Sequence, residues 1–597
     1  VDKYKTEGNE FHRLFLHSGF IMEISSEHLT LLLDRLSQDH AKNRDYIETL
    51  DFIKYLLERE RFYENMLHKI FMLNSKYISI DAIYESIQKI RDKLQHELSI
   101  ESFQFPEYII ESQYEHILDS LPEIVEFIRR NKVVVSNELI NERQLEVSNQ
   151  VIEIAIQKSS IRVHLLSIMM ELNKVRKIQN FQYKDSNIEY IYLLTHNISY
   201  WKEFEIYRDL NFSLYIDYMS KNDELKLMKE VGFVKNNISD VLHFDFAKGT
   251  EYLSSLTISS AVKLLQPMYG DFEECFIVGD QLYSINLLIE VLRKIYELLY
   301  RKNNQFDEKT KVHKYGERAL IREAGIDSKH INLLRLLSFD INNKEQKEHL
   351  VNFKPLIRID KIYYLIPSHF NRVSIEKCID KILSSEVKMV NSSEGKKGYL
   401  FEYHIESFFR ESNIEFGKVS RDEKKGIPEF DGIFILDEYI FFYDAKASIK
   451  PENIQEAYNN FQSVFIKGFY QMIERINALQ DAKKRKVISE KSKLNLEKKK
   501  LAPFIISNHF YFNGYRELVY IEDSKKRHIP IIDFSTLQKI IKTRKYPVWI
   551  YDSKMNSYRY FEQNFLTAKE LYNYLCNQIE GLVLAAPPLF QLTDDRI

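Results

Sequence analysis

A chain of 597 residues is too long for a single hydrophobic core and predicts about two to four domains. Its 44% apolar and 29% charged residues exclude a disordered polymer, and a net charge of −3 excludes a globally basic binder of polyanions, so any nucleic-acid surface must be a local patch. Cys275, Cys378 and Cys576 lie far apart without a CxxC pair, which argues against a structural zinc site or disulfide framework and fits a reducing cytoplasm; no run of roughly 18 uncharged apolar residues offers a membrane span, and the first residues carry no apolar signal-peptide core.

The first 350 residues read mainly as helices. SEHLTLLLDRLSQD is amphipathic, and DSLPEIVEFIRRNK carries a start signal, with Ser120 as N-cap, Pro122 in the first turn, and Ile124, Val125, Phe127 and Ile128 as the apolar stripe. The stretch from Asn141 to Lys177 is long enough for one extended helix or a helix pair. DQLYSINLLIEVLRKIYELLYRKN repeats apolar residues at three and four spacing, with Glu290, Arg293, Lys294 and Glu297 interrupting, and predicts a core-facing helix. No fixed-period repeat stands out.

Near residue 350 the texture changes. FKPLIRIDKIYYLIPSHF alternates about Asp360-Lys361 as a hairpin does, a helix follows, and the polar NSSEGKKG makes a boundary. Beyond it the pattern predicts a helix over 400–411, strands over 414–419, 430–436 and 439–446, a long helix over 452–480, strands over 502–507 and 529–533, then a helix. The expected organisation is therefore multidomain: a helical region over 1–350 for sensing, recognition or oligomerisation, a hairpin-and-helix connector over 351–390, and an α/β domain with a mixed central sheet over 391–597. The insert 481–500 is strongly basic, either as a solvated helix or loop or as a phosphate-contacting surface.

The stretch PEFDGIFILDEYIFFYDAKAS, 428–448, concentrates the chemistry. Asp437-Glu438 is the polar, turn-competent pair inside it, and folding there places Asp431 opposite Asp444, with Cβ atoms roughly 5 Å apart. Lys446 lies two residues past Asp444 and shares its face. Two carboxylates so close repel unless a cation sits between them, and a hard divalent ion such as Mg²⁺ suits carboxylate oxygen and water.

This arrangement resembles the PD-(D/E)XK nuclease superfamily, the restriction-endonuclease-like fold. Pro428 to Asp431 stands for the first half-motif in the loosened form P-E-F-D, and Asp444-Ala445-Lys446 for the second. The family's preceding helix carries a glutamate; Glu402 matches it, with Glu406 as runner-up, beside a buried stripe of Phe401, Ile405 and Phe408. The family's helix after the third strand carries basic or amide groups, for which Lys467 and Gln471 are candidates. The resemblance covers roughly residues 395 to 535. The tripeptide alone is unspecific: Asp552-Ser553-Lys554 also ends a strand-like run, but lacks an acid-bearing partner strand and a preceding glutamate helix.

The resemblance implies a Mg²⁺-dependent endodeoxyribonuclease, with Mn²⁺ as substitute, in which Asp431, Asp444, the Ala445 carbonyl and Glu402 hold the metal. Lys446 positions or activates the attacking water, and Ser448, on the face of Lys446, joins Lys467 and Gln471 as a nucleic-acid contact. By analogy with large bacterial proteins of similar make-up, the expected role is restriction or anti-phage defence in the cytoplasm. The chain has no GxxxxGK[ST], so a separate ATPase or sensor subunit, or homo-oligomerisation, is an expected partner; GxSxG and HExxH are also missing. Two alternatives stay open: a non-cutting nucleic-acid-binding scaffold of the same fold, and a ribonuclease, since the family contact is to phosphate.

Overall fold

A computed structural model describes residues 26–37, 40–101, 116–136, 139–169, 173–183, 186–196, 233–235, 242–244, 262, 265–270, 272–304, 312–390, 397–451, 454–515, 518–522, 524–552, 557–578 and 589–592. The chain divides into two compact units, and neither is one continuous stretch. One comprises 1–197, 290–378 and 587–597; the other comprises 198–289 and 379–586. Among the described residues no helix is long and apolar enough to cross a membrane.

The first unit is largely helical at its N-terminal end, with helices Ser26–Ser37, His40–Asn74, Ile80–Glu101, Leu121–Asn131 and Glu142–Met169. Ile124, Val125, Phe127 and Ile128 are buried, as their spacing predicts. Ser120 does not cap their helix: it is already in the right-handed helical region, and its hydroxyl donates to the Ile117 carbonyl at 2.7 Å. Lys158 is buried between Glu123 and Glu126 at 3.0 and 3.1 Å, which supplies the pairing that a buried ammonium requires. The expected hairpin forms from strands Leu356–Ile359 and Ile362–Leu365, with Asp360 at a φ of 54° in its turn.

Two stretches expected as helix contain strands. Asn173–Tyr183 pairs with Ser186–His196, so the long helix stops at Met169 and the last five residues of the expected span are extended. Val175, Tyr192 and Leu194 turn inward. Gln281–Ser284 pairs with Cys275–Val278 across a turn at Gly279, and the helix begins only at Ile285. There Leu282 is exposed and Tyr283 buried, the alternation of a strand rather than the period of a helix.

The second unit contains a five-stranded mixed sheet. Its elements are α1 (Lys397–Glu411), β1 (Phe416–Val419), β2 (Phe430–Leu436), β3 (Tyr439–Lys446), α2 (Ile454–Asn460), α3 (Ile466–Gln480), α4 (Ala482–Ser492), β4 (Lys500–Ser507), β5 (Ile531–Asp533) and α5 (Phe534–Thr543). The strand order is β1-β2-β3-β4-β5; the first three are antiparallel, and β3-β4 and β4-β5 are parallel. A π-helical turn, Phe461–Phe465, joins α2 to α3, so the expected long helix is continuous in course but not in geometry. Helix α1 buries Phe401, Ile405, Phe408 and Phe409; Phe409 stacks on Phe434 with ring centres 4.5 Å apart. Burial of such a phenylalanine contributes about 1.5–3 kcal/mol.

Candidate active site

The strands β2 and β3 form the hairpin around which the site is built. Leu436 pairs with Tyr439, and the register runs without a bulge to Gly432 opposite Tyr443. Asp437 takes the left-handed turn conformation at φ 47°, which Asp tolerates through its short polar side chain. Its carboxylate accepts from the Ala568 backbone N–H at 2.8 Å, and its carbonyl accepts from Lys499 Nζ at 2.7 Å. Gly432 is required by its partner: a β-carbon there would lie 2.4 Å from the Tyr443 ring.

This register brings the two acids and the lysine together. Asp431 Oδ2 accepts from the Ala445 backbone N–H at 2.8 Å. Asp444 Oδ2 lies 2.6 Å from Lys446 Nζ, an ion pair without hydrogen-bond alignment. Lys446 Nζ donates to Gln471 Oε1 at 2.7 Å. The remaining oxygens meet on one residue that the sequence reading did not single out: Arg475 of α3 donates from Nη2 to Asp431 Oδ1 at 2.9 Å and from Nη1 to Asp444 Oδ1 at 2.7 Å. Its Nε donates to the Glu429 carbonyl at 2.6 Å.

Helix α3 reaches the acids because Gly468, Gln471 and Arg475 share a face at spacings of three and four. A β-carbon at Gly468 would stand 2.7 Å from Asp444 Oδ2 and 2.8 Å from Lys446 Cε. The resulting cluster is nearly closed to solvent: side-chain exposure is 1% for Asp444, 3% for Arg475, 11% for Asp431 and 16% for Lys446. Burial pushes the Asp431 carboxyl up to about 7; Arg475 pulls it down and the Asp444 charge pushes it further up. Burial disfavours the Arg475 charge, but Asp444 and Asp431 outweigh that, and its pKa lies above the ordinary value.

The other expected site residues are placed differently. Glu402 pairs with Lys418 at 3.6 Å, and Glu406 with Lys418 at 3.2 Å and Arg410 at 2.8 Å. Helix α1 lies on the sheet face that carries Tyr443, whereas α3 lies on the face that carries Asp444, so Glu402 starts from the opposite side. Burial raises the Glu402 pKa against the pull of Lys418, with Glu429 and Asp444 adding to the rise. Among the described residues no group of three or more His, Cys, Asp or Glu side chains gathers as a metal-ligand set, so Glu402 does not complete a three-acid site. Lys467 is exposed and outside the cluster, whereas Gln471 is part of it. Ser448 is not presented to solvent; it is buried, its N–H donating to Asn508 Oδ1 at 2.8 Å and its hydroxyl lying 2.9 Å from His509 Nε2. Asp552 sits in a separate two-stranded hairpin, outside the five-stranded sheet.

As donors, the Asp431 and Asp444 carboxylates and the Ala445 carbonyl suit a hard divalent ion. One cation, the Arg475 guanidinium, already bonds to both acids. In this arrangement Arg475 takes one oxygen of each. A signal for it was present in the sequence: Arg475 lies on the same stripe as Met472, Ile476 and Leu479, where a charge has no place without a buried partner.

No family model matches the chain, and no curated protein or solved structure matches it.

Proposed function

We propose that the second unit is a metal-dependent nuclease of the restriction-endonuclease-like kind that hydrolyses phosphodiester bonds of DNA. The observation that carries this reading is that Asp431 and Asp444 are bonded to one and the same cationic group, with Lys446 ion-paired beside them. The sequence of helix, three antiparallel strands, helix and parallel strand around that cluster supports it as well. Mg²⁺ or Mn²⁺ held by Asp431, Asp444 and the Ala445 carbonyl would polarise a phosphoryl oxygen and lower the pKa of a bound water. Lys446, anchored by Gln471 and Asp444, holds its ammonium where it can donate to a phosphate oxygen or orient that water.

A cationic ridge supports nucleic acid as the partner. Between 481 and 500, nine lysines and arginines stand against three acids. Helix α4 is tied to the loop before β2 by Lys491 and Asp422 at 2.7 Å, and Lys484 Nζ lies 3.4 Å from a β-carbon position at Gly426. That loop also reaches α3 through Arg421 and Glu474 at 3.6 Å, one residue from Arg475. Among the described residues Lys424, Lys425, Lys483, Lys484, Lys486 and Lys493 have no carboxylate within ion-pair distance, leaving their charge available to phosphates. Restriction or anti-phage defence in the cytoplasm, with a separate ATPase or sensor subunit or with self-association, belongs to the same proposal.

The burial of Arg475 between the acids favours a second reading, a scaffold that binds nucleic acid without cutting. Wild type and Lys446→Ala incubated with plasmid, single-stranded DNA and RNA, under Mg²⁺, Mn²⁺ or EDTA, separate the readings. The expected result is cleavage of DNA by wild type alone, abolished by EDTA. Equal cleavage by both proteins, or cleavage surviving EDTA, removes the site assignment; binding without cleavage on every substrate favours the scaffold, and cleavage of RNA alone the ribonuclease.

A further inference from the structure

We propose that Arg475 is the resident counter-cation of the Asp431–Asp444 pair, and that a divalent ion loads by taking its place. This inference rests on the nuclease reading of the same two acids, but concerns how their charge is balanced.

Asp431 and Asp444 bring two negative charges into a nearly closed site, and Arg475 and Lys446 bring two positive ones. The cluster is neutral when all four are ionised. A divalent ion added without a departure would leave two uncompensated positive charges in a poorly hydrated space, a cost that such sites avoid. Withdrawal of one of the two cations halves that excess to a single positive charge.

Bonding identifies which one. Lys446 touches a single carboxylate oxygen and is held from outside the pair by Gln471. Arg475 spans the pair, taking one oxygen from each acid, and so occupies the position between them that a shared ion needs. Its remaining acceptors, the carbonyls of Glu429 and Tyr443 and the Met472 sulfur, are neutral. Ion and guanidinium therefore compete for the same two oxygens, whereas Lys446 keeps its anchor whichever is bound.

The test is Mn²⁺ binding to the full chain without nucleic acid, followed as loss of the free-ion electron paramagnetic resonance signal. Arg475→Gln should bind Mn²⁺ about tenfold more tightly than wild type or better, a gain of about 1.4 kcal/mol. Arg475→Lys, which keeps the charge but cannot span both acids, should fall between them. Adding Asp431→Asn to Arg475→Gln should remove the gain. Should Arg475→Gln fail to fold, Arg475→Lys decides alone: tighter binding than wild type sustains the exchange, and equal or weaker binding overturns it. Retained tight binding in Asp431→Asn/Arg475→Gln also overturns it. The nuclease reading fails separately, by absence of cleavage from a protein whose Mn²⁺ affinity follows this pattern. Mg²⁺-dependent cleavage by wild type with no gain in Arg475→Gln or Arg475→Lys sinks the exchange alone.

Discussion

Gly468 approaches Asp444 so closely that a β-carbon at 468 would stand 2.7 Å from its Oδ2. On an open helix face, alanine in place of glycine gains about 1 kcal/mol. Here the methyl group strikes a buried carboxylate and the Lys446 chain, so the sign reverses: Gly468→Ala should lose about 1–3 kcal/mol of stability, read from urea midpoints, and cleavage should fall with it. A stabilised Gly468→Ala would show that α3 does not press on the acids.

The raised Asp431 pKa gives stability a direction with pH. Unfolded, the group titrates near its ordinary 3.8; folded, near about 7. Between those values the native chain holds a proton that the unfolded chain has released. This contribution is therefore present below about pH 4 and is lost as pH rises to about 7, by at most about 1.4 kcal/mol per pH unit. Asp431→Asn cannot titrate, so its unfolding free energy should gain on wild type between about pH 4 and about pH 7. Parallel curves for the two proteins would contradict the shift.

Removing Arg475 alone leaves two buried acids without their shared partner. Arg475→Met should cost about 3–5 kcal/mol in metal-free buffer, measured by chemical denaturation. Asp431→Asn/Arg475→Met, which removes one charge of each sign and leaves Asp444 paired with Lys446, should recover most of that loss. A double variant no more stable than the single one would show that the guanidinium acts chiefly through the Glu429 and Tyr443 carbonyls.

Charge on the ridge is read by salt. Lys483→Glu/Lys484→Glu should weaken duplex binding in EDTA and lower the slope of log affinity against log salt by about 0.9 for each phosphate no longer neutralised. An unchanged slope would place the nucleic acid elsewhere on the protein.

How much of this was legible follows from how local each signal is. The hairpin was, because Asp437-Glu438 is the polar break between two apolar runs and symmetry about it pairs the acids. Arg475 was legible only in part: a charge on an apolar stripe signals a buried partner, but the partners lie 31 and 44 residues away in sequence and the stripe does not name them. Gln281–Ser284 was missed because the apolar run of the following helix begins directly after it, and a four-residue strand carries too few alternations to compete. Ser448 shares the strand parity of Lys446, but parity does not reveal that Asn508 and His509 cover that end of β3. The interleaving of the two units was invisible in composition, since strand Cys275–Val278 finds its partner Lys388–Met389 more than a hundred residues on.

That interleaving makes the second unit hard to excise. A fragment cut at residue 391 would lose Lys388–Met389 and the strand it pairs with, Tyr269 with its bond to Asp380, and Met268, which contacts Asn508 beside Ser448. A truncation drawn by composition would expose freshly unpaired surface and aggregate. The smallest piece that keeps this unit whole would have to be spliced from 198–289 and 379–586 by a designed linker, or reassembled from two co-expressed fragments.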